Sequence, residues 1–102
     1  MTYLLLFLAG ALLCNAIPHL AAGLRGEAFP TPFARPRGVG LSPPLVNFLW
    51  GLLNAALGLW LTAERPFALG VNLPSLALLA GALAIGIYLS LHFAKVRRDR
   101  EG

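Results

Sequence analysis

Few side chains in this chain could do chemistry, and they sit in otherwise apolar runs. Asn15 and His19 stand at i and i+4 in the first run, Asn47 and Asn54 at i and i+7 in the second, and Tyr88 and His92 at i and i+4 in the third. On helices these spacings put each pair on one face. Amides donate and accept hydrogen bonds, and imidazole can also take a proton or ligate a metal. The set could bond helix to helix, each contact worth about 0.6–2 kcal/mol in lipid. His19 and His92 could instead ligate a b-type haem. Alternatively, Asn15, His19, Asn54 and Tyr88 could line a path for protons or small solutes. The first reading is preferred, and neither a cofactor nor a metal is expected.

Catalysis finds little support. Glu27, Glu64, Asp99 and Glu101 all fall outside the apolar runs, so no embedded carboxylate could drive proton coupling. Cys14, the single cysteine, lies one turn from His19 but in hydrocarbon, where a thiol stays protonated. Phosphate-binding glycine loops, paired carboxylates, HxxxH and CxxC are all missing. The expectation is a protein that is not an enzyme.

These residues need elements to position them, and composition says what kind. Of 102 residues, 58% are hydrophobic and only 12% charged, against about 25% charged in soluble domains. Mean hydropathy is +0.74. So few charges cannot cover a water-soluble globule, and the bilayer is the expected solvent. The pI of about 10.3 could indicate nucleic acid, but the basic residues flank apolar runs as membrane-edge anchors do. No nucleic-acid partner is expected.

The fold predicted is all-α: a three-helix transmembrane bundle with a Pro/Gly-rich interfacial loop between the first two helices, in a single domain over residues 1–102. The helices are expected at about residues 2–24, 43–62 and 74–94, each close to the roughly 20 residues a span requires. A cleaved signal peptide fits the first run less well, because no Lys or Arg precedes it and it continues past the candidate cleavage site at Cys14-Asn15-Ala16. Pro18 should bend this helix. Ser42 is read as an N-cap with Pro43 in the first helical position. In the second helix Asn47, Gly51, Asn54 and Gly58 form one small-and-polar stripe suited to close helix packing. The basic tail, residues 95–102, is expected to fray.

Between the first two helices, residues 25–41 show neither helical nor strand periodicity. Phe29 and Phe33 beside Arg25, Arg35 and Arg37 suit a segment lying among headgroups, with the arginines ringing an entrance that favours anionic lipid headgroups. Three spans put this loop and the tail on one side, with seven of the eight basic residues; only Arg65 falls on the other. The positive-inside rule then places the N-terminus outside and the C-terminus in the cytoplasm. It also brings His19, His92 and Asn47 to one level, with Asn15, Asn54 and Tyr88 a turn or two deeper. His19 is expected to meet Asn47, with Phe29–Phe33 folded over them and Trp50 as a wall.

The run Asn15-x-x-Pro18-His19, Gly23, Gly26, Phe29-Pro-Thr-Pro-Phe33, Gly38, Gly40, Ser42 and Asn47-x-x-Trp50-Gly51 resembles a family of small, uncharacterised bacterial integral membrane proteins of about this length. The resemblance covers the first half of the chain and implies a multi-pass protein of the bacterial inner membrane, without implying an activity. The small multidrug exporters differ, having four helices and an embedded glutamate. The functional expectation is a non-enzymatic accessory or partner-binding membrane component, with a homo-oligomer or another membrane protein as partner. An oligomeric channel or transporter for small solutes or ions is the alternative, and a His-ligated haem anchor a third.

Overall fold

The computed structural model describes residues 1–101. Three helices carry the fold: α1 (Thr2–Leu24), α2 (Pro44–Ala63) and α3 (Leu73–Glu101), with a two-residue antiparallel ladder of β1 (Phe29–Pro30) and β2 (Leu41–Ser42) in the first connector. Each helix is long and apolar enough to cross a membrane. The long dimension of 44 Å matches a bilayer with its headgroup layers, about 40–45 Å thick.

The helices form a layer with α1 in the middle. α1 packs on α2 along one side and on α3 along the other, whereas α2 and α3 barely meet. The α1/α2 contact is antiparallel. The four buried residues of α2 are Asn47, Gly51, Asn54 and Gly58, the stripe visible in the sequence. A Cβ at Gly51 would come within 2.8 Å of Leu20, and one at Gly58 within 2.7 Å of Leu13. Small residues let the backbones approach, which in lipid substitutes for a hydrophobic driving force. The stripe is therefore consumed within the molecule and is not left for a partner.

The α1/α3 contact is tighter. A Cβ at Gly81 would fall on the Phe7 carbonyl, and one at Gly10 on that of Leu78. Beyond this crossing α3 is covered lightly, with Gly81 and Val96 its only buried residues among those described.

Several local expectations need correction. Ser42 does not cap α2: it belongs to β2, and its hydroxyl pairs with Thr31 Oγ1 at 2.6 Å. Pro43 takes the cap position in an extended conformation and Pro44 opens the helix, where a missing N–H costs nothing. The supposed fraying tail is helical to Glu101, because Lys95 and Asp99 pair at i, i+4 and Arg100 bonds the first connector. α3 begins under an Asn72 cap, whose Oδ1 accepts from Ser75 N–H at 2.9 Å. The connector read as lacking strand structure contains the β1/β2 ladder, held by side chains remote in sequence.

Two glycines of α3 give a stability test. Gly81→Leu should destabilise the protein in detergent by at least the roughly 1–3 kcal/mol of an overpacked core, because the side chain would meet backbone. Gly86→Ala should be near neutral, since its methyl would meet only Cys14 Sγ at 3.5 Å. Thermal unfolding followed by circular dichroism measures both; equal losses would refute the crossing at Gly81.

Candidate functional site

Asn47, fully buried, lies at the centre of the polar cluster. Its Nδ2 faces three backbone carbonyls, of Phe29 (3.0 Å), Ser42 (3.2 Å) and Pro43 (3.3 Å). That crowding of acceptors identifies the donor end of the amide, so Oδ1 must accept. It does so from His19 Nδ1 at 2.8 Å, which places the imidazole proton on Nδ1. One side chain thus joins α1, α2 and both strands of the connector. One to two turns away along α1 and α2, Asn15 donates to Asn54 Oδ1 at 3.0 Å, and Asn54 donates to the Trp50 carbonyl at 2.8 Å.

α3 grips the connector from the other side. His92 Nε2 donates to the Gly38 carbonyl at 2.6 Å, and Arg100 donates to the Val39 carbonyl at 2.8 Å. Phe29 packs edge-on against His19 and, tilted, against Phe93, with centroids 5.5 and 4.7 Å apart. Phe33 sits edge-on to Trp50 at 5.0 Å while remaining exposed. Thr31, between Pro30 and Pro32, is buried against Ser42.

These contacts border a half-open cavity of about 190 Å³ lined by Asn15, His19, Thr31, Trp50, Tyr88 and His92 among others. Tyr88 joins it by stacking on His92 at 5.7 Å, more than half exposed and without a side-chain hydrogen bond among the described residues. Trp50 Nε1 is the one buried side-chain donor without a partner among the described residues. The histidines do not suit a haem. His92 Nε2 is committed to the Gly38 carbonyl, Phe93 stands against both rings at 6.5 and 5.2 Å, and the cavity is smaller than the about 300–1,000 Å³ of ordinary ligand pockets. No cluster of three or more metal-ligating side chains occurs among the described residues.

The loop arginines divide. Arg35 and Arg37 are exposed and are not among the residues lining the 190 Å³ cavity or the larger cleft next to it. Arg25 lines that cleft, a space of about 400 Å³, together with Arg97 and Arg100 of α3. Arg25 also clasps Glu27 through Nε at 3.0 Å and Nη2 at 3.1 Å. These bonds, and the charge behind them, hold the Glu27 carboxyl below its ordinary pKa. Sequence reasoning passed over Thr31, Phe93, Arg97 and Arg100. The run Phe-Pro-Thr-Pro-Phe pointed at the first; Phe93 was one apolar residue among many in the third helix, and Arg97 and Arg100 carried no signal because a helical tail was not foreseen.

No family model, curated protein or solved structure matches the chain.

The Asn47 pin is open to a double-mutant cycle. His19→Ala and Asn47→Ala should be non-additive by more than about 0.5 kcal/mol in unfolding free energy. Asn47→Ala alone should be the costlier, because it strands buried acceptors and the His19 donor at once. Strict additivity would show that the two side chains do not stabilise one another.

Proposed function

We propose that the chain is a non-enzymatic accessory component of a bacterial inner membrane, with the N-terminus outside and the C-terminus in the cytoplasm, and that it presents the first connector as a rigid docking element to another membrane protein. The observation behind this reading is where the polar side chains at this end, buried and exposed, are spent. Asn47, His92 and Arg100 all bond the connector's backbone, and Thr31 and Ser42 bond each other. A polar set built for turnover keeps groups free for substrate; this one holds a loop still. Ordering a loop beforehand lowers the entropy lost when it docks. The surface so presented carries Phe33, Arg35, Arg37, Val39 and Leu41, all exposed.

The orientation rests on the seven basic residues at the connector end. Reporters active on only one side of the membrane, fused to Met1 and Gly102, should report opposite sides, with Gly102 cytoplasmic. For docking, a photo-crosslinking residue at Arg37 should capture one discrete protein in intact cells. That product should vanish in Asn47→Ala chains that still insert normally. Crosslinks to lipid alone, or a homogeneous oligomer that conducts ions in liposomes, would overturn the reading in favour of an autonomous membrane protein.

A further inference from the structure

The cleft beside Arg25 shares its Phe93 wall with a second, apolar space. Its rim holds three guanidinium groups, of Arg25, Arg97 and Arg100, against one carboxylate, Glu27, and its floor is Phe29, Phe93 and Val96. Arg25 is partly engaged by Glu27 and Arg100 by the Val39 carbonyl, while Arg97 has no hydrogen bond or ion pair among the described residues. On the far side of Phe93 a second space of about 260 Å³ follows the α1/α3 seam, lined by Cys14, Ile17, Pro18, Gly86, Leu89 and Ser90. Gly86 opens it, having no side chain to fill the seam. The one hydroxyl there is already used, Ser90 Oγ donating to the Gly86 carbonyl at 2.7 Å. From Phe93 back to Gly86 is roughly 10 Å along the helix, well into one leaflet.

We propose that these two spaces form one binding site for an anionic phospholipid, its phosphate held by Arg97, Arg100 and Arg25 and one acyl chain lying along the α1/α3 groove. Guanidinium is the side chain best matched to phosphate, because its N–H groups form a planar fork that bonds two oxygens at once. The excess of positive charge selects an anionic headgroup over a zwitterionic one. The apolar groove selects a lipid over a soluble phosphate. Phe93 walls both spaces, so head and tail of one molecule can be held together. The site lies outside the 190 Å³ cavity and does not depend on the docking role of the connector.

The test uses the full chain in detergent, titrated with dioleoyl phosphatidylglycerol, dioleoyl phosphatidylcholine or glycerol phosphate, with bound species counted by native mass spectrometry. One phosphatidylglycerol per chain should be retained, with phosphatidylcholine and glycerol phosphate bound at least about tenfold more weakly. Arg97→Ala should weaken phosphatidylglycerol binding by about tenfold with little change in the unfolding temperature, since Arg97 makes no hydrogen bond or ion pair among the described residues. Gly86→Leu should fill the groove and weaken the lipid; should that variant not fold, exposed Ser90→Leu intrudes on the same groove. Equal retention of the two lipids, or indifference to Arg97→Ala, would overturn the headgroup assignment. Glycerol phosphate bound as tightly as the lipid would make this a soluble-anion site and remove the acyl groove.

Discussion

A primary amide buried in an apolar surround must find partners for two N–H groups and two lone pairs, and in hydrocarbon no water supplies them. Asn47 is under that constraint with no exposure at all. Its solution determines much else. The donor end requires carbonyls, and those available belong to Phe29, Ser42 and Pro43, so the connector must double back over the start of α2. The acceptor end requires a donor, which sets the rotamer of His19 and hence the register of α1 on α2. With the connector folded back, Thr31 and Ser42 meet, and Gly38 and Val39 come within reach of α3. A chain of satisfied polar groups thus orders a segment whose own proline and glycine content would leave it irregular.

The two faces of α1 are built on different physics. Toward α2, glycines alternate with amides, so close approach and hydrogen bonding act together. Toward α3, Gly10 and Gly81 bring backbone against backbone, and dispersion dominates. Polar contact returns only at the basic end, where His92 and Arg100 reach the connector. The division explains why so little of α3 is buried although it is the longest helix. It is secured at a crossing point and at one end, and the rest of its surface is left to lipid.

How much of this was legible depended on whether the signal was periodic. The three spans were, because hydrocarbon thickness dictates length and apolarity directly. So was the α2 stripe, since helical spacing maps sequence onto one face without reference to anything distant. Asn15 with Asn54 and His19 with Asn47 could be brought to matched depths by topology alone. What could not be read were contacts made by the connector, where no repeat relates position to direction. Ser42 shows why: its local context is that of a helix cap, and only Thr31, eleven residues earlier, draws its hydroxyl away. The tail misled for a similar reason. A run of charges suggests solvation until Arg100 is seen to have a carbonyl to bond, and with the helix stopped at residue 94 Arg97 and Arg100 were left in a fraying tail and not placed at the larger cleft.

The near absence of contact between α2 and α3 bears on the order in which the molecule is made. When the second connector leaves the ribosome, α1, the first connector and α2 have all been synthesised. Together they hold both amide-centred pairs, the short ladder and the Thr31–Ser42 bond. Of that half's hydrogen bonds described above, those to the Gly38 and Val39 carbonyls wait for the remainder of the chain. α3 then arrives against a hairpin already assembled, docks at Gly10, and closes the connector with His92 and Arg100. The protein can therefore be built as a helical hairpin followed by a clasp, each stage burying its own polar groups before the next helix enters the bilayer.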